Sequence, residues 1–117
     1  MKKLVRDNIC SIIRMSGKEP NYYIAETEEE YDTFLLDKMI EELDEFRENP
    51  CIEEAADMYE VWMAILERWS MSPLDVVSYA NKKKKEKGGF FDGYILIMDN
   101  EEEVENDWNV TQNGEQK

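Results

Sequence analysis

Two stretches of helical periodicity stand back to back in this chain, with only Asn49-Pro50 between them. From Thr27 to about Glu48, apolar residues recur at Leu35, Leu36, Met39, Ile40, Leu43 and Phe46, the spacing of one helical face. From about Cys51 to Ser70, the apolar set is Ile52, Ala55, Met58, Tyr59, Trp62, Met63, Ile65, Leu66 and Trp69. Pro50 cannot continue the first helix, and so short a link makes the two helices antiparallel neighbours. Thr27 with Glu30 three residues later is a capping box, which sets the start of the first. The second has an apolar arc broad enough to need several neighbours, not one.

The remaining elements are shorter. Val5, Ile9, Cys10, Ile12 and Ile13 predict an amphipathic helix over 5–15, ended by Ser16-Gly17, with Pro20 opposing a restart. Ser72-Pro73 starts a third long helix, which runs through Val76, Val77, Tyr79 and Ala80 into Lys82–Lys85 and ends at Gly88-Gly89. Following a helix, that glycine pair reads as a terminator and not as a phosphate loop. Residues 22–25 and 94–98 are β-prone, which leaves room for a small two-stranded element. The fold class expected is mainly α, with residues 1–98 as one domain. Residues 99–117 carry seven acids and one base, and are expected to be a tail disordered when unbound.

Composition then removes whole classes of function. The chain contains no histidine, so histidine-dependent triads, HExxH zinc sites and imidazole acid–base chemistry are excluded. Cys10 and Cys51 form no CxxC pair and read as reduced, buried thiols of a cytoplasmic protein. Apolar runs are only a few residues long, so neither a membrane span nor a signal peptide is expected. Net charge is −14, which disfavours binding to a nucleic-acid backbone and favours a cation as partner.

That charge is concentrated. Residues 26–60 hold fifteen acids against Lys38 and Arg47 alone. Within them, Glu42 and Glu45 stand three apart on the first long helix, and Glu54 and Asp57 three apart on the second. Residues three apart are neighbours on a helix surface, so each pair repels itself. At about 100° per residue, Glu42 falls beside Leu35 and Glu54 beside Ile65, at the apolar borders of their helices. One member of each pair therefore approaches the packed interface, as a site between bundle helices requires. A hard divalent cation would relieve the repulsion, and all-oxygen ligands suit Mg²⁺ or Mn²⁺. The bland reading is a solvated acidic face, since Glu53, Glu60 and Glu67 do form such a stripe. Spacing leaves both readings open.

Glu41-Glu42-Leu43-Asp44-Glu45 followed by Glu54-Ala55-Ala56-Asp57 resembles the EExxE…ExxD signature of the MazG-like, all-α nucleoside triphosphate pyrophosphohydrolases. Lys3-Leu4-Val5-Arg6-Asp7-Asn8-Ile9, Gly17-Lys18-Glu19-Pro20 and Lys87-Gly88-Gly89-Phe90 are similar to blocks of its small single-domain, phosphoribosyl-ATP pyrophosphohydrolase-like branch. The resemblance covers roughly residues 2–98. It implies hydrolysis between the α and β phosphates of a nucleoside triphosphate, giving the monophosphate and pyrophosphate. It implies Mg²⁺, with Mn²⁺ as a substitute, held by Glu42, Glu45, Glu54 and Asp57. Glu41 would be an outer carboxylate or help to activate water. It also implies nucleotide contacts from the third long helix, with Asn81, Lys84 and Lys85 as candidates. The same lysines read equally as ordinary residues of a helix C-terminus. Arg6 is open to two roles, a phosphate contact or an ion pair with an acid.

Trp62, Trp69, Tyr59 and Tyr79 have the helical spacing of core residues more than of a base clamp. The broad apolar face of 52–69, and the pairing habit of the superfamily, imply a homodimer or homotetramer with the active site near the interface. Two other functions stand beside the enzyme: an acidic binding protein mimicking nucleic acid, and a non-catalytic nucleotide sensor on the same fold.

Overall fold

The computed structural model describes residues 1–98. It is all-helical: α1 is Ile9–Met15, α2 Glu28–Glu48, α3 Ile52–Arg68 and α4 Pro73–Lys87. Among the described residues no strand forms, and 22–25 and 94–98 are irregular. The tail expected over 99–117 lies outside the described residues. Two compact units are present, Met1–Ala80 and the stretch from Asn81 onward.

The helix ends follow from their residues. Thr27 is the N-cap of α2, and its hydroxyl accepts the Glu30 N–H at 3.0 Å. Glu30 returns the interaction one residue earlier than a standard capping box would. Its carboxylate accepts the Glu26 N–H at 2.9 Å and the Tyr23 hydroxyl at 2.8 Å. α1 closes as a Schellman motif: Gly17 is left-handed at φ 92°, and the Lys18 N–H reaches back to the Ile13 carbonyl. α3 ends the same way without a glycine. Ser70 holds φ 56°, its N–H bonds the Glu67 carbonyl at 3.1 Å, and the Met71 N–H bonds the Leu66 carbonyl at 2.8 Å. In the second unit Gly88, at φ 85°, terminates α4 through an N–H bond to the Lys84 carbonyl.

α1 is shorter than its apolar pattern predicts, because residues 5–8 stay out of the helix. Lys3 and Arg6, on either side of Leu4-Val5, are drawn instead to carboxylates of α2 and α3.

α2 packs against α3 as an antiparallel pair, and this is the main helix–helix packing. Its centre is Leu35 from α2 with Ile65 and Leu66 from α3, all buried. An ion pair ties the outer end: Arg68 forks onto both carboxylate oxygens of Asp32, lies 3.7 Å from Glu28, and covers the Trp69 ring. Two helices bury few residues, so the aromatic residues with core spacing are not core in the single chain. Tyr59, Trp62, Trp69 and Tyr79 are all exposed, as are Ile40 and Ile52. A helix pair can cover one stripe of each member, and α3 has more apolar surface than α2 can cover. No helix among the described residues is long and apolar enough to cross a membrane.

Candidate metal centre

α2 contributes Glu42 and Glu45, and α3 contributes Glu54 and Asp57. The antiparallel pairing places one carboxylate oxygen of each within 4.8 Å of all the others. Oxygens bound at about 2.1–2.4 Å around one ion stand at most about 4.2–4.8 Å apart, so the four could share a single metal ion. The helical wheel explains the approach. Glu42 lies seven residues, two turns, after Leu35, and these are the two buried residues of α2. Glu54 and Asp57 are half-buried, while Glu45 is exposed.

Glu42 is 5% exposed, and its Oε2 is buried without a hydrogen-bond partner; so is Glu54 Oε2. A buried carboxylate oxygen without a donor carries its full desolvation cost. Burial pushes the Glu42 carboxyl above the usual glutamate range, and the adjacent Glu45 adds to the shift, against an opposing pull from Lys38. The donor set is oxygen only, with no thiol and no imidazole, and it fits Mg²⁺, Mn²⁺ or another hard ion better than zinc.

Three cations border the cluster. Lys38 Nζ lies 3.3 Å from Glu42 Oε1 and 3.3 Å from Glu41 Oε2. Lys3 Nζ donates to Glu41 Oε1 at 3.2 Å. Arg6 Nη2 donates to Asp57 Oδ1 at 2.7 Å. Glu41 is therefore beside the four-carboxylate cluster and not within it. Burial pushes its carboxyl up, but Lys3 and Lys38 outweigh that and hold it below the usual range.

The structure thus brings together Glu42, Glu45, Glu54 and Asp57, with Glu41 and Arg6 adjoining. Asn81, Lys84 and Lys85 belong to the second unit, where all three are exposed and Lys84 lies over the Phe91 ring. Sequence reasoning passed over Lys3 and Lys38 as site residues. For Lys38 the signal was present: it is one of two bases in an acidic run and stands three and four residues before Glu41 and Glu42. Lys3 carried no such signal, because its partner is 38 residues away.

Comparison with protein-family models, with curated proteins and with solved structures found no match for this chain.

Proposed function

We propose that the protein is a Mg²⁺-dependent nucleoside triphosphate pyrophosphohydrolase of the MazG-like type, with Mn²⁺ as a possible substitute ion. The observation that carries the reading is the convergence of four carboxylates from two helices around two buried, unpartnered oxygens. The step from a cation site to a nucleotide rests on the motif resemblance, whose EExxE and ExxD residues are the ones that converge. An acidic mimic of nucleic acid would spread its carboxylates over open surface and has no use for a buried Glu42.

In this reading Glu42, Glu45, Glu54 and Asp57 hold the ion. What the ion supplies when bound is charge stabilisation at the phosphoryl oxygens and a more acidic water. The helix pair holds the four carboxylates in place before substrate arrives, so little reorganisation remains for the reaction. In this reading Glu41, kept ionised by Lys3 and Lys38, is an outer carboxylate that orients or helps to activate the water. A nucleophilic side chain is not required. The cytoplasmic setting rests on the sequence, whose two cysteines form no CxxC pair. Cys10 and Cys51 are half-buried and not buried as expected, because the helix pair is too small to enclose them. The uncovered apolar face of α3 supports assembly into a homodimer or homotetramer.

The test is pyrophosphate release from a panel of canonical and modified nucleoside triphosphates with Mg²⁺, Mn²⁺ or EDTA. Metal-dependent release of pyrophosphate and monophosphate is expected, with Glu42→Gln and Asp57→Asn inactive but helical. Full activity in either variant would overturn the site assignment.

A further inference from the structure

The three cations at the acid cluster are not distributed alike. Lys38 is held within α2 and is only 15% exposed. Lys3 and Arg6 come from the irregular segment before α1, and each stands about half open to solvent, at 50% and 55%. That segment crosses from α2 to α3: Lys3 is fixed to Glu41 on α2, and Arg6 to Asp57 on α3. Arg6 gives a single hydrogen bond to Asp57, using one of the five N–H donors of a guanidinium. Asp57 is at once the partner of Arg6 and a member of the four-carboxylate cluster.

We propose that the segment 1–8 is the phosphate-holding strap of this site, Lys3 and Arg6 resting on Glu41 and Asp57 and turning to phosphate oxygens once a divalent ion occupies the carboxylates. This rests on the metal-dependent reading above and names where its anionic substrate is held. The charge balance supports the exchange. The carboxylates Glu41, Glu42, Glu45, Glu54 and Asp57, with Glu60 also acting on Arg6, outnumber the three cations Lys3, Arg6 and Lys38, so the cluster is short of positive charge. A divalent ion reduces that deficit, and the attraction that keeps Arg6 on Asp57 then weakens. A guanidinium released from a carboxylate can take two phosphate oxygens in a two-pronged geometry, which its single bond to Asp57 does not use. Arg6 and the ion compete for Asp57, and this gives the inference a sign of its own. Removing Arg6 strengthens metal binding and weakens phosphate binding, whereas a purely structural pair would weaken both.

The experiment is calorimetric titration of the whole 117-residue chain, first with Mg²⁺ alone and then with inorganic pyrophosphate in saturating Mg²⁺. It compares the wild type with Arg6→Gln, Arg6→Lys and Lys3→Gln. Arg6→Gln is expected to bind Mg²⁺ more tightly and pyrophosphate at least about tenfold more weakly, the loss of a charge-assisted bond. Lys3→Gln shows the same pattern more weakly, and Arg6→Lys recovers part of the pyrophosphate affinity. Unchanged pyrophosphate affinity in both Gln variants overturns the strap as phosphate holder and leaves the metal site standing. So does a wild type that binds Mg²⁺ but no pyrophosphate. Loss of both Mg²⁺ and pyrophosphate binding in Arg6→Gln, with Lys3→Gln unaffected, makes Arg6 a structural pair and also overturns the inference. A wild type that binds no Mg²⁺ overturns the metal-dependent function, and the strap falls with it.

Discussion

Lys38 and Glu42 stand one turn apart on α2, with the ammonium 3.3 Å from Glu42 Oε1, while Oε2 of the same carboxylate is buried without a donor. Half of this carboxylate is compensated within the chain and half is not. Its uncompensated oxygen points to a cost carried by the metal-free fold. Substituting Glu42→Gln removes the buried charge and supplies an amide donor. The variant is expected to melt a few degrees above the wild type in EDTA and to lose the stabilisation that Mg²⁺ brings. A wild type with a hundredfold excess of ion over its Kd gains about 2.7 kcal/mol. Thermal melts with and without Mg²⁺ check both parts, and a variant that still responds to Mg²⁺ would remove Glu42 from the site.

Glu30 carries the pH dependence of the α2 N-terminus. The Glu26 N–H, and then the Tyr23 hydroxyl, hold its carboxyl below the usual glutamate range. A carboxylate with a lowered folded pKa adds stability that is present above its unfolded value, about 4.3, and is lost as pH falls through the folded value. Glu30→Gln is therefore expected to melt below the wild type at neutral pH and to converge with it in acid. A constant gap across the acid range would show that the carboxylate charge is not what matters.

Ser70 occupies the left-handed position that closes α3, at φ 56°. A side chain there costs about 1–2 kcal/mol relative to glycine, partly offset by the greater chain entropy of glycine when unfolded. Ser70→Gly is expected to raise the melting temperature by about 4 °C per kcal/mol regained. Denaturant titration checks it: a higher midpoint at unchanged slope is expected, and a lower midpoint would show that the left-handed position costs Ser70 little.

Trp62 and Tyr59 sit three residues apart on α3, and both are exposed in the single chain, at 42% and 59%. If a second copy covers this face, Trp62→Glu places a charge in the interface. Sedimentation is expected to show a dimer or tetramer for the wild type and a smaller species for the variant. A monomeric wild type would contradict the assembly.

Much of the helical hairpin is readable from local pattern. Thr27 caps α2, Pro50 separates it from α3, Pro73 opens α4, and Gly17 closes α1, because each of these acts through its own backbone geometry. The helix faces of Glu42 and Glu54 were legible too, but spacing left a solvated acidic face equally open; the set of four came from the motif resemblance, and their convergence is a tertiary fact. The shortened α1 was not legible. Nothing in the spacing of Val5 and Ile9 reports that Arg6 bonds Asp57, 51 residues away.

The division follows from the range of the forces. Periodicity, caps and breakers act within a few residues, so linear order is enough to assign the helices and the face on which Glu42 and Glu54 lie. The buried, unpartnered oxygens of those two residues and the strap that carries Lys3 and Arg6 across both helices depend on distances between segments. Those distances exist only once α2 and α3 have packed around Leu35, Ile65 and Leu66.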